Sequence, residues 1–218
     1  MTSAALLTPT DHVRFDQPRM PEVAAAPRVI APLLRSVAKE LTHATSEKAF
    51  GALAAQFERH AEHLEVDIDA PTMAVRDGVV TVTTTSPFGT VLVVPAPACD
   101  ETTIGTHIAA ALTAGNRVSL GTFGAIDSSA SLFYAILTGI LTSDLFAVLS
   151  PGSGWTAPGR QCVFVVTPDA AFANDLPWWT HNAGGDDQAA VGDLVRFYRR
   201  SSSIHMPVRT SPHRGLAW

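Results

Sequence analysis

The spacing of apolar residues changes along this chain, and each change marks a new kind of element. Up to about Ala26 there is no apolar period, and Pro9, Pro18 and Pro21 interrupt the backbone. This predicts a tail over 1–26, mobile or ordered by a partner. Over 27–64 the period is helical. Val29, Ile30, Leu33, Leu34, Val37 and Leu41 share one face, and Phe50, Leu53, Phe57 and Leu64 share another behind Ser46, a suitable N-cap. From Val66 the period becomes two. Met73 to Arg76 leads into Asp77-Gly78, and Val79 to Thr85 runs back. Asp-Gly between two β-prone runs predicts a hairpin over 65–86, because glycine accepts the positive φ of a type I′ turn. The threonines of Val79–Thr85 are too polar for a central strand and suit a ribbon lying on a neighbouring subunit.

Over 87–200 strands and helices alternate. Val91–Val94 is a continuous apolar run, as expected of a strand covered on both faces. Asp100 caps a helix carrying Ile104, Ile108, Ala111 and Leu112 and closed by Gly115-Asn116. Arg117–Leu120 is the next strand. Asp127 or Ser128 opens a helix with Leu132, Phe133, Ile136, Leu137, Ile140 and Leu141 inward, and Leu145–Leu149 and Gln161–Thr167 are two further strands. A last helix begins near Asp186, buries Val191, Leu194, Val195 and Tyr198, and ends on Arg199 and Arg200 beside its negative end. The remainder, 201–218, is an arm in which Ser201–Thr210 can form one more strand, expected to pair with the Asp77-Gly78 hairpin across a subunit boundary. The pattern predicts an α/β fold: a Rossmann-like parallel sheet with helices on both faces, right-handed crossovers and a protruding β-hairpin for oligomerisation.

Composition narrows the class. Charged residues are 16% and apolar residues 46% of 218, a low surface charge that suggests cover by another subunit. A net charge of −5 gives no reason to expect nucleic acid or an anionic membrane as partner. Cys99 and Cys162 make neither a disulfide framework nor a zinc site, and the first residues do not read as a secretion signal. The apolar run Ala130–Leu149 carries Asp144 and reads as a buried helix and strand rather than a membrane span. A cytoplasmic protein is expected.

The stretch Ser86-Pro-Phe-Gly-Thr-Val-Leu-Val-Val-Pro95, with the helix ending Ala-Ala-Leu-Thr-Ala-Gly-Asn116 before a strand, resembles the aldehyde dehydrogenase superfamily over roughly Thr81 to Gly154. The resemblance implies a nucleotide-binding fold, and it also implies losses. The family's asparagine, which helps to hold the thiohemiacetal oxygen, falls at Ala98, or at Pro97 if the register shifts by one. The lysine that contacts the adenosine ribose falls at Gly121, and its proline at Thr122. Losing a charged hydrogen bond of that kind costs about 1.5–3 kcal/mol of cofactor binding. Where the family's helix between its third and fourth strands belongs, Pro151, Gly152, Gly154, Pro158 and Gly159 forbid one. Where its pyrophosphate-binding turn belongs stands Thr167-Pro168-Asp169, whose acid repels phosphate. No counterpart of the family's catalytic domain is expected. The chain is similar to the inactive aldehyde-dehydrogenase-like domains of bifunctional proline-catabolic enzymes. It is expected to hold no cofactor, with NAD disfavoured.

Several residues remain as candidate sites. Gly152-Ser-Gly154-Trp-Thr-Ala157 has the form of a dinucleotide fingerprint, but Pro158-Gly159 ends it, so it reads as a loop. Cys99 lies between a strand and a helix N-terminus, where a thiol is activated, yet Asp100 and Glu101 oppose that. His60 and His63, near Glu58 and Glu65, have metal-ligand spacing without a third ligand and read as a solvated polar face. Trp178 and Trp179 read either as a plug over the sheet or as a subunit contact. Arg196, Arg199 and Arg200 could hold an anion, although helix capping accounts for the last two. The expectation is a catalytically silent protein acting by assembly, as a homodimer or on an active dehydrogenase. Its interface is built from Val75, Val79, Val80, Val82, Trp178 and Trp179. The alternatives are an NAD(P)-binding oxidoreductase, a small enzyme using Cys99, and a sensor of an adenine ligand.

Overall fold

A computed structural model describes residues 27–44, 48–64, 70–122, 128–149, 161–173, 176, 179–181 and 188–207. The expected tail, Ser46, Asp127, the run from Gly152 to Ala157, Trp178, Asp186 and the arm beyond Pro207 lie outside them.

The first helices are α1 (Pro27–Ala44) and α2 (Lys48–His63). Their apolar stripes are buried as the spacing predicts: Ile30, Leu34, Val37 and Leu41 on one, Phe50, Leu53 and Phe57 on the other. Val29 departs from this expectation, being 54% exposed. It sits about 100° round the helix from Ile30, at the border of the stripe. The hairpin follows, with β1 (Thr72–Arg76) and β2 (Val79–Pro87) in antiparallel register about Asp77-Gly78. Both turn residues have positive φ, 52° and 73°, as a type I′ turn requires.

The main sheet contains β3 (Thr90–Pro95), β4 (Arg117–Gly121), β5 (Phe146–Leu149), β6 (Gln161–Val166), β7 (Ala170–Ala173) and β8 (Trp179–Thr180), in the order β5-β4-β3-β6-β7-β8. The first four are parallel, with Val91 opposite both Val118 and Cys162. Helices α3 (Glu101–Thr113) and α4 (Ser128–Ile140) join β3 to β4 and β4 to β5. The fold is α/β and Rossmann-like. Strands β7 and β8 add an antiparallel extension that the apolar pattern did not signal.

Helix α3 is closed at both ends. The Asp100 carboxylate accepts from the Thr103 N–H at 2.7 Å. At the other end Gly115 (φ 87°) donates to Leu112 and Asn116 to Ala111, a Schellman arrangement. On α4, Phe133 and Leu137 are buried, but Leu132, expected inward, is 39% exposed because it lies beside that stripe.

Crossovers β3-α3-β4 and β4-α4-β5 advance in the same direction, so both helices lie on one face of the sheet. Helices α1, α2 and α5 (Gln188–Phe197) pack against α3 and α4. Among the described residues the helices therefore stack on one side, where cover on both faces was expected. Phe164 and Val166 point into that core, and Val163 and Val165 point away from it.

After α5 the chain enters β9 (Arg199–Pro207), antiparallel to β2 from Pro87↔Arg199 to Val79↔Pro207. The expectation that this strand meets the hairpin across a subunit boundary is corrected. Helix α5 ends beside the β2–β3 junction, so the strand reaches β2 of its own chain without a long connection. Arg199 and Arg200, expected to cap α5, belong to β9. The Arg199 guanidinium donates to the Thr85 carbonyl, and that of Arg200 lies over the Phe88 ring at 5.2 Å.

Candidate functional site

The carboxyl edge of the parallel strands is where an open α/β sheet places its ligands. Ala98, like Pro97, is exposed in the turn after β3. Gly121 is buried at the end of β4, and the hydroxyl of Thr122 donates to the Leu149 carbonyl at 3.1 Å. Cys99 is half-buried, and its thiol donates to the Val166 carbonyl at 3.1 Å. Burial pushes that thiol up from its ordinary pKa; a hydrogen bond from the Ala96 backbone opposes the rise and Asp100 adds to it. The helix N-terminus does not make this sulfur a thiolate. After β6 the chain reverses through a tight turn in which the Thr167 N–H and hydroxyl both donate to the Ala170 carbonyl, each at 2.8 Å. At that point a pyrophosphate site needs the N–H groups of a helix.

A second site lies behind this edge, in a cavity of about 210 Å³ between α2, α3, α5 and β8. The sequence reading missed it. His60, expected on a solvated face, is fully buried, and neither ring nitrogen has a hydrogen-bond partner. It projects from α2 towards α3 and α5, and α5 is remote in sequence, so local spacing carried no sign of its cover. Burial, then His63 and Arg59, pull its pKa down to about 3. His63 is lowered as well, by burial and by Arg196 of α5. No group of three metal-ligating side chains occurs among the described residues.

His107 of α3 and His181, just after β8, meet at 2.7 Å between their Nε2 atoms. His107 is buried and held at about 3 by burial, His181 and His60. The protons on this chain follow from its ends. The Pro168 carbonyl can only accept, so His181 Nδ1, 2.8 Å away, donates to it. With both rings neutral, His107 Nε2–H then donates to His181 Nε2, and the Tyr198 hydroxyl donates to His107 Nδ1 at 2.8 Å. Burial raises the Tyr198 pKa well above its ordinary value, with Cys162 adding to the rise, so the phenol keeps its proton. Trp179 lines the same cavity and stands 6.2 Å from the Phe197 ring. It lies in the short strand β8 at the edge of the sheet.

The candidate interface residues fall in the three-stranded sheet β1-β2-β9. Registers Met73↔Val82↔Ile204 and Val75↔Val80↔Met206 place six apolar side chains on one face. Met73 is 72%, Val75 68% and Ile204 61% exposed. Val79, opposite Arg76 and Pro207, falls on the other face. That face is polar: Thr81 bonds His205 Nδ1 at 3.0 Å and Thr83 bonds Ser203 at 2.9 Å.

Parts of several solved structures are similar to this chain in fold. The fold is similar to part of an aldehyde dehydrogenase. PnpE in complex with nicotinamide adenine dinucleotide is 15% identical, with 62% of this chain and 31% of that one covered and a TM-score of 0.49. Lactaldehyde dehydrogenase from Escherichia coli is 15% identical over 58% of this chain and 30% of that one, TM-score 0.49. Proline utilization A from Bdellovibrio bacteriovorus is 14% identical over 57% and 15%, TM-score 0.43. The chain thus spans less than a third of each of these proteins. No protein-family model matches the sequence, and no curated protein matches it. No helix among the described residues is long and apolar enough to cross a membrane.

Proposed function

We propose that this is a non-catalytic relative of the aldehyde dehydrogenases that works by assembly, with a second copy of the chain as partner. The observation that supports this reading best is the exposed face of β1-β2-β9, where Met73, Val75, Ile204 and Met206 stand in register with Val80 and Val82. Exposed apolar residues in a continuous patch mark contact surfaces, whereas scattered ones do not. The sheet presents all of β1 to solvent, and no described strand pairs with its outer edge beside that patch. The neutral, hydrogen-bonded Cys99 thiol and the hairpin after β6 agree with a carboxyl edge that performs no chemistry.

Light scattering on the purified chain at micromolar concentration is expected to give the mass of a dimer. Ile204→Glu, at an exposed position, should give a monomer with unchanged circular dichroism. A wild-type monomer across the micromolar range would sink the self-assembly reading. Calorimetric binding of NAD or NADP would favour the oxidoreductase alternative instead.

A further inference from the structure

The cavity behind the sheet edge plays no part in the assembly reading. Trp179, Val191 and Leu194 are apolar members of its lining; Gln56, His60, His107, His181 and three threonines from the start of α3 are the polar ones. None of the described residues that line it is acidic. Gln56 lies one turn before His60 on α2, so both reach the cavity from the same side. His107 spends both ring nitrogens on Tyr198 and His181, whereas both nitrogens of His60 are buried without a partner. A buried polar group left unpaired is destabilising, so a ligand that engages it recovers that cost on binding.

We propose that this cavity binds a small organic monocarboxylate with an apolar body, its carboxylate held by the His60 imidazole beside the Gln56 amide. Each property of the ligand follows from the lining. An organic cation would meet no counter-charge among the described lining residues. A phosphate dianion would find no lysine or arginine among the described lining residues. A metal ion would have no third ligand among the described residues. A volume of about 210 Å³ is below the ~300–1,000 Å³ of pockets for drug-sized molecules, which suits a single ring or a short branched chain. The described titratable groups that act on His60 or on the imidazoles beside it are Arg59 and His63 on its own helix, His107 from α3, His181 beyond it after β8, and Arg196 of α5 against His63. A carboxylate entering there draws one proton from solvent, and the neutral imidazole becomes an imidazolium paired with the anion.

Benzoate serves as the probe, with the full chain labelled at its histidine nitrogens. Calorimetry in buffers of different ionisation enthalpy should show uptake of one proton per benzoate bound. The apparent affinity should fall about tenfold per unit between about pH 6 and pH 8. One buried imidazole should move from neutral to imidazolium nitrogen frequencies. Benzamide, the same shape without charge, should bind at least about tenfold more weakly. His60→Phe should abolish the response. Leu194→Trp, which fills the cavity and leaves His60 in place, should abolish it too. Imidazole signals unmoved by millimolar benzoate, equal binding of benzamide, or a response to zinc or inorganic phosphate in its place would each overturn the proposal.

Discussion

Asn116 ties together three segments that are far apart in sequence. Its side-chain oxygen accepts from the Gly89 N–H at 3.0 Å, and its amide nitrogen donates to the carbonyls of Ala111 at 3.1 Å and Tyr198 at 2.8 Å. The residue is buried, and its side chain is the donor to the Tyr198 carbonyl, whereas the Ala111 carbonyl also accepts from the Asn116 backbone N–H. Asp at this position can accept but not donate, and sets an anion against two carbonyl oxygens. Asn116→Asp should lower stability by about 3 kcal/mol or more, read from urea unfolding, and Asn116→Ala by about 1–3 kcal/mol. Cys99 gives the complementary case, a side chain whose chemistry is suppressed. With its pKa raised and its S–H donated to Val166, it should react with a disulfide reagent at neutral pH more slowly than free cysteine. A rate above that of the free amino acid would contradict the geometry.

At the scale of elements, α2, α3 and α5 share an interface whose polar groups are imidazoles. His60 and His107 titrate near 3 in the folded chain, against 6.5 for an ordinary histidine. Their folded values are depressed, so the unfolded chain binds more protons between those limits. The neutral rings are fully compatible with folding above about pH 6.5, and stability is lost as pH falls towards 3. Two such groups give a slope of up to about 2.7 kcal/mol per pH unit. Urea midpoints should drop steeply below pH 6 and be nearly flat above pH 7. The same interface depends on Gly105, where an added Cβ would fall on the Leu53 side chain and lie 3.1 Å from Phe133. Gly105→Val should cost about 1–3 kcal/mol through overpacking. Much of this architecture was legible in the sequence, because local rules dictate it. Asp100 and Gly115 bracket α3, Asp77-Gly78 sets the hairpin, and Val91–Val94 is unmistakably a covered strand. Other features have no local cause. Ala170–Ala173 is a poor strand former that pairs only because the turn at Pro168 folds it onto β6. His60 looked solvated because its cover, α5, lies more than a hundred residues downstream.

The whole molecule joins two unlike sheets. The larger is covered on one side by α3 and α4, with α1, α2 and α5 packed on them; the smaller has an apolar face that no described element covers, and the link between them runs through Phe88-Gly89 and Arg199. A second copy that buries Met73 and Met206 would shield their thioethers, and peroxide oxidation of methionine follows exposure. The isolated chain leaves Met73 72% and Met206 46% exposed. Peptide mass spectrometry after a short peroxide treatment should therefore find both methionines slow to oxidise in the wild-type assembly. In Ile204→Glu, where the copies separate, both should oxidise at close to the rate of free methionine. Dilution of the wild type below its dissociation constant should bring the same acceleration, without any substitution. Fast oxidation of both residues at every concentration would mean that this face stays in water. The assembly reading would then lose the surface on which it rests.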